Sequence, residues 1–311
     1  MQTNIPILND FLYYLLYIKN FSIKTVKNYS AKLQAFFYFS IEYLEWNVQP
    51  KDLNVFLLGN IKESTVIQYL IFLNYYRENS PSSRRRFLSI IRRFYKWLFM
   101  KYPHTLKNKI NPTSNLPVVN SIKRLPKYVS LKDAKRLQNI FNKENSIFYI
   151  RNNTIITLFL NAGFRASELI NINISDIDFN NKQESVIGKG NKERIVVLNN
   201  KCMTSIINYL KTRNDSEIPL FITANNKRFK LNGIEQICSQ AYELAGLKEF
   251  NYTVHSLRHT FATYLYDSSK DILIVKEALG HSSIEATEIY THVMPEAIKN
   301  AVDKNPLNNI W

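Results

Sequence analysis

The chain has 311 residues and a formal net charge of +16, with 45% hydrophobic and 13% aromatic residues. That is too apolar for a disordered chain and too long for one uninterrupted core, so two domains are expected. Cys202 and Cys238, with no CxxC pair and no Cys/His cluster at zinc spacing, argue against a disulfide framework or a structural metal, and a reducing cytoplasm fits.

The run FLYYLLYI (11–18) is too short to span a bilayer and lacks the preceding basic residues of a signal peptide, so no membrane partner is expected. Leu8, Phe11, Leu12, Leu15 and Leu16 follow helical spacing instead. Helices are expected over 6–18, 22–40, 50–58, 62–77 and 81–100. In the last of these Arg85, Arg92 and Lys96 fall on one side, opposite a stripe of Phe87, Ile90, Ile91, Phe94 and Leu98. Arg84, Arg85, Arg86, Arg92 and Arg93 have no carboxylates near them in sequence. With Lys96 they are the candidate DNA-phosphate contacts, because clustered cations on phosphates are rewarded by counterion release. A solvated basic face is the plainer alternative. Residues 1–125 hold 18 Lys+Arg against 6 Asp+Glu, while 126–311 hold 23 against 19. Such an excess in one half is the footprint of a nucleic-acid binder, although membrane surfaces and acidic proteins attract the same charge.

Pro103, Pro112, Pro117 and Pro126 then mark a change of texture that resists helix. This assigns 1–104 to a helical domain, 105–125 to a linker and 126–311 to a second domain. There Ser130 is a plausible N-cap for a helix over 131–142, and a buried helix over 151–162 ends at Gly163. Segments 172–179, 183–188 and 193–198 read as a three-stranded antiparallel sheet. Helices resume over 201–212, 232–245, 256–266, 271–279 and 283–291.

The second part carries the chemistry. Arg165 and Glu168 lie in AGFRASELI, Lys189 in GKGNKER, His255 and Arg258 in HSLRHTF, and His281 and Tyr290 in LGHSSIEATEIYTHV. Singly, each reads as well as an ion-pairing Arg, a solvated Lys, a half-buried His or a packing Tyr. Together they form a set suited to phosphoryl transfer. Two Arg can grip a phosphate bidentately and neutralise charge in the transition state. A Tyr with a free pKa of about 10 needs a cationic site and a proton acceptor to attack, a role open to His255. Lys189 at a hairpin tip can protonate the leaving oxygen. The set requires no metal and no cofactor.

With these residues in this order the chain resembles the tyrosine recombinase (phage integrase) family. The similarity extends to SIKTVKNYSAKLQAFFYF (22–39) and SSRRRFLSIIRRFYKWL (82–98), which look like the family's core-binding helices. The resemblance implies a mainly α protein with a small antiparallel β-sheet, a two-domain DNA clamp of core-binding and catalytic domains. It implies Tyr290 as the nucleophile forming a 3′-phosphotyrosyl bond, Arg165 and Arg258 on the scissile phosphate, His255 as proton acceptor, Lys189 as the acid and His281 as a phosphate donor. Glu168 would support the first Arg; His259 and His292 match family letters and are read as packing or tautomer-fixing residues. The implied partners are double-stranded DNA with inverted half-sites and a tetramer of this chain or with a paralogous recombinase, assisted by an accessory protein or DNA translocase. No room is left for an arm-site domain, which suggests a Xer-like or small mobile-element enzyme. Ser268 and Ser269 stand where family members often have Gly. The tail 295–311 reads as a segment that packs into a neighbouring protomer or onto its own domain. A type IB topoisomerase and a DNA-binding regulator with a degenerate site stay open as alternatives.

Overall fold

The computed structural model describes residues 2–117, 119–120, 125–146, 148–187, 193–281 and 283–290. The chain divides into two compact units, Met1–Lys123 and Arg124–Trp311. Among the described residues, no helix is long and apolar enough to cross a membrane.

The first unit is helical. Helix α1 (Pro6–Tyr13) runs on into a π turn (Tyr14–Ile18), followed by α2 (Ile23–Tyr43), α3 (Val55–Gly59), α4 (Glu63–Tyr75) and α5 (Pro81–Lys101). The starts follow local chemistry: Ser22 Oγ accepts the Thr25 N–H at 3.2 Å, and Ser80 caps α5 with Pro81 at its first position. The core is aromatic, with Phe94 of α5 edge-on to Phe11 (5.3 Å, 88°) and Phe37 (5.1 Å, 67°). The expected stripe of α5 is buried at Ile90, Ile91, Phe94 and Leu98, joined by Leu88, Tyr95 and Trp97, with Phe87 half-buried. The stretch 105–125 begins as part of this unit: Leu106 and Leu116 lie in its core, and Arg92 Nη2 donates to the carbonyls of Leu116 and Pro117.

The second unit contains α6 (Leu131–Leu137), α7 (Tyr149–Ala162), α8 (Ala166–Asn171), β1 (Ile177–Asp178), β2 (Gln183–Ile187), β3 (Glu193–Val197), α9 (Asn200–Leu210), α10 (Leu231–Leu244), α11 (Val254–Ser269) and α12 (Ile272–Leu279). The sheet is antiparallel in the order β1-β2-β3, with Glu184 opposite Ile177 on one side and Val196 on the other. Helix α7 is central and packs on α9 and α11. Apolar residues recur along it at Ile155, Ile156, Leu158 and Phe159, all buried.

Five local expectations change. The helix expected over 50–58 is split into a 3₁₀ turn, Pro50–Asp52, and the five-residue α3. The helix expected over 131–142 stops at Leu137, where Asn139 takes a left-handed φ of 59°. Helix α8 was not foreseen. Strand 172–179 shrinks to two residues because the Asp176 carboxylate accepts the Asn173 N–H at 2.9 Å and folds the chain into a 3₁₀ turn. The helix expected over 283–291 is a series of turns ending in one 3₁₀ turn, Glu288–Tyr290, with the buried Thr287 hydroxyl bonded to His281. The hairpin tip with Lys189 and the tail 295–311 lie outside the described residues.

Candidate active site

Two helix ends and two helix starts build the site. Helix α7 stops at Gly163 with φ of 63°, and a Cβ there would meet the Phe261 ring at 2.2 Å, so the turn requires glycine. The turn delivers Arg165 to the start of α8, where its N–H donates to Glu168 Oε2 at 2.7 Å and its Nη1 to Oε1 at 2.5 Å. Helix α12 likewise ends at Gly280 with φ of 61°, and Arg165 Nη2 reaches the Gly280 carbonyl at 3.2 Å.

Glu168 is the hub. Its side chain is 2% exposed, and it faces Arg165, Arg194 Nη2 at 2.9 Å and Arg258 Nη1 at 3.6 Å. Burial alone would raise its pKa. The Arg194 charge, the Arg165 N–H and the charges of Arg165 and Arg258 outweigh burial and hold the carboxyl below its ordinary value. Arg258 of α11 is buried and donates to the Gly163 and Leu279 carbonyls, each at 2.6 Å. Burial, followed by the Arg165 charge, lowers it to about 9. A guanidinium carries five N–H donors, so both Arg165 and Arg258 keep donors beyond these bonds for an anion.

Tyr290 is 1% exposed, packed with Ala262, Val275 and Leu279. Its hydroxyl lies 2.9 Å from His259 Nδ1, and its ring stands near-parallel to His281 (6.5 Å, 17°). Burial pushes the phenol up to about 12 despite the pull of Arg258 and Arg165. His281 Nδ1 pairs with Thr287 Oγ1 at 2.9 Å; burial, then Arg258 and Arg165, lowers the ring to about 4.

Of the residues singled out in sequence, the structure gathers Arg165, Glu168, Arg258, His281 and Tyr290. His255 is exposed, one turn before His259 on α11, and Lys189 lies outside the described residues. In the first unit Arg85, Arg86 and Lys96 are exposed, and Arg84 is half-buried. Arg93 lies over the Phe21 ring at 5.0 Å, and Arg92 binds backbone carbonyls, so these two also have structural work within their unit. Sequence reasoning missed two contacts. Arg194, inside the quoted GKGNKER, reaches Glu168 and the Ala278 carbonyl (2.5 Å), and His259 meets the tyrosine hydroxyl rather than merely packing.

Residues 127–297 match the model of the phage integrase family. The chain is 35% identical over 318 residues to tyrosine recombinase XerC of Caldanaerobacter subterraneus subsp. tengcongensis, covering 97% of this chain and 87% of that protein. It is 31% identical to tyrosine recombinase XerD of Rickettsia prowazekii, covering 83% and 84%. Among solved structures it is similar to XerA recombinase (28% identity, 96% and 98% coverage, TM-score 0.52). It also shares the fold of XerH bound to a palindromic difH substrate (21% identity, 96% and 83% coverage, TM-score 0.73).

Proposed function

Because the chain belongs to the phage integrase family of tyrosine recombinases, enzymes that cleave and rejoin DNA, we propose that it recombines specific sites through a 3′-phosphotyrosyl intermediate on Tyr290. One observation carries the reading: a tyrosine hydroxyl held in a buried cluster under the influence of two arginines. Arg165 and Arg258 bind the scissile phosphate with the N–H donors their structural bonds leave over, and neutralise the charge that builds at phosphorus. Glu168, itself bonded by Arg194, holds both guanidiniums in place. His281 donates to a phosphate oxygen, and Lys189 protonates the departing 5′ oxygen, as in the family reading. His255, exposed on α11, faces incoming DNA. The phosphotyrosyl bond conserves the energy of the phosphodiester, so the second strand's 5′-hydroxyl reseals it without ATP.

Arg84, Arg85, Arg86, Arg92, Arg93 and Lys96 supply backbone contacts from the helical unit, with Arg92 and Arg93 dividing their donors between DNA and their own unit. Inverted half-sites then call for paired protomers, and two paired sites for four. The reaction belongs in the cytoplasm, where DNA is available. The test is covalent trapping. Wild-type protein incubated with nicked duplexes drawn from sequence flanking its own gene gives a denaturation-resistant adduct that Tyr290→Phe does not. An adduct surviving in Tyr290→Phe overturns the assignment.

A further inference from the structure

We propose that His259 is a catalytic residue of this reaction: its Nδ1 orients the Tyr290 hydroxyl and takes the proton of that hydroxyl as the phenolic oxygen attacks phosphorus. The inference rests on the recombinase reading above and departs from it at one atom, since the family pattern gives that proton to His255.

Three observations carry it. The 2.9 Å bond to His259 Nδ1 is the hydrogen bond of the Tyr290 hydroxyl among the described residues, and the two rings touch at 5.7 Å. His281 meets the ring face instead, with its own Nδ1 on Thr287, and His255 is exposed a turn away. His259 is also held rigidly, because its neighbour Arg258 is tied to the Gly163 and Leu279 carbonyls and the start of α11 is capped by Ser256 accepting the Thr253 N–H.

The electrostatics agree. Burial, then the charges of His255 and Arg258 on the same helix, lower His259 to about 4, and it in turn faces His281 and Tyr290. The ring is therefore neutral at pH 7, with the phenol protonated, and in the tautomer that carries its hydrogen on Nε2 the Nδ1 atom accepts from the hydroxyl. A DNA phosphate arriving at Arg165 and Arg258 offsets the positive charge that depresses the ring, so its basicity rises at the step that uses it. In that step the Tyr290 oxygen–phosphorus bond forms and the phosphorus–O5′ bond breaks. The phenolic proton moves to Nδ1, and O5′ takes a proton from a separate donor, Lys189 or water. In resealing, the attacking 5′-hydroxyl releases its proton and the His259 imidazolium returns one to Tyr290.

The experiment compares adduct formation on ordinary nicked duplexes and on duplexes with sulfur in place of the bridging 5′ oxygen, whose leaving group departs without a proton. His259→Ala lowers the rate on the order of 10²- to 10⁴-fold on both substrates, the range of general-base catalysis. His259→Gln, which keeps a hydrogen-bond acceptor but cannot carry the proton, loses at least about 30-fold and guards against a folding failure in the alanine variant. Both are checked for wild-type DNA affinity and circular dichroism. His255→Ala loses less than either. The inference is overturned if either His259 variant stays within threefold of wild type, or if the sulfur substrate restores it. Absence of an adduct from wild-type protein overturns the recombinase reading itself, and this inference with it.

Discussion

Replacing Glu168 with Gln keeps its volume and removes the one charge that faces three guanidiniums. Arg194 and Arg258 are buried, with side chains 9% and 6% exposed, so they cannot recover the loss from solvent. Breaking a buried pair by removing one partner costs about 3–5 kcal/mol. An exposed pair such as Lys248 with Glu243 contributes only about 0.2–1 kcal/mol. For a unit of this size each kcal/mol moves Tm by about 2–4 °C, so Glu168→Gln should lower Tm by about 6–20 °C. Thermal and urea unfolding measure it. The pH dependence adds a second reading. Because the folded carboxyl has a lowered pKa, its stabilisation is present above the unfolded value of about 4.3 and is lost as pH falls through the folded one. Wild type should therefore lose stability more steeply than Glu168→Gln below about pH 4.5. The pair Glu168→Leu with Arg194→Met removes both charges and should recover part of the stability lost in Glu168→Leu alone, without recovering DNA cleavage. A Glu168→Gln protein within 1 kcal/mol of wild type, or a double variant no more stable than Glu168→Leu, would refute the hub.

Glu184 on β2 gives the opposite sign. It is 2% exposed with a buried oxygen that finds no hydrogen-bond partner among the described residues; burial, then Asp176 and Glu168, raise it to about 8. The folded state keeps a proton that the unfolded state has released, so stability falls as pH rises from about 4.3 to about 8. Glu184→Gln should flatten that fall and be more stable by about 1–3 kcal/mol at pH 8, read by urea unfolding at several pH values. Gly163→Ala should destabilise by more than 2 kcal/mol, since its Cβ meets the Phe261 ring at 2.2 Å. Gly246→Ala, at a similar φ of 67° but 3.4 Å from the tip of the half-exposed Arg136 side chain, should cost about 1–2 kcal/mol; equal losses in Tm would contradict the packing argument. Lys270→Gly should gain up to about 1 kcal/mol, because Lys270 ends α11 at φ of 53° where glycine is unstrained; a loss on thermal unfolding would count against it. Arg86→Gln should reduce the slope of log affinity against log salt by about 0.9 if that side chain meets one phosphate, as a titration of DNA binding over salt would show.

Much of the framework was readable because it is local. The stripe of α5, the Ser130 cap of α6, and the stop of α7 at Gly163 each depend on residues within one or two turns. What was not readable depends on parts distant in the chain. Arg194 joins the site only because β3 lies against α12, where its guanidinium reaches Ala278. His259 meets Tyr290 across 31 residues of sequence. Helix α8 is six residues long and shows no period. The only signal for it was Glu168 three positions after Arg165, half of a capping box with the usual serine or threonine missing. Glu184 gave no signal either: a Glu in a short strand looks solvent-facing, yet between Ile177 and Val196 on the neighbouring strands it is buried.

The two bonds from Arg258 to the carbonyls of Gly163 and Leu279 bear on how such a chain would age. That guanidinium staples the ends of α7 and α12, so its loss would injure the fold as well as any chemistry. A descendant that no longer cut DNA, kept only to occupy its sites, would still be selected to retain the arginine. Tyr290→Phe, by contrast, leaves a buried ring in place and removes one hydrogen bond. Retired members of such a lineage should therefore be sought at the tyrosine; an intact arginine pair testifies to architecture and is weak testimony about activity.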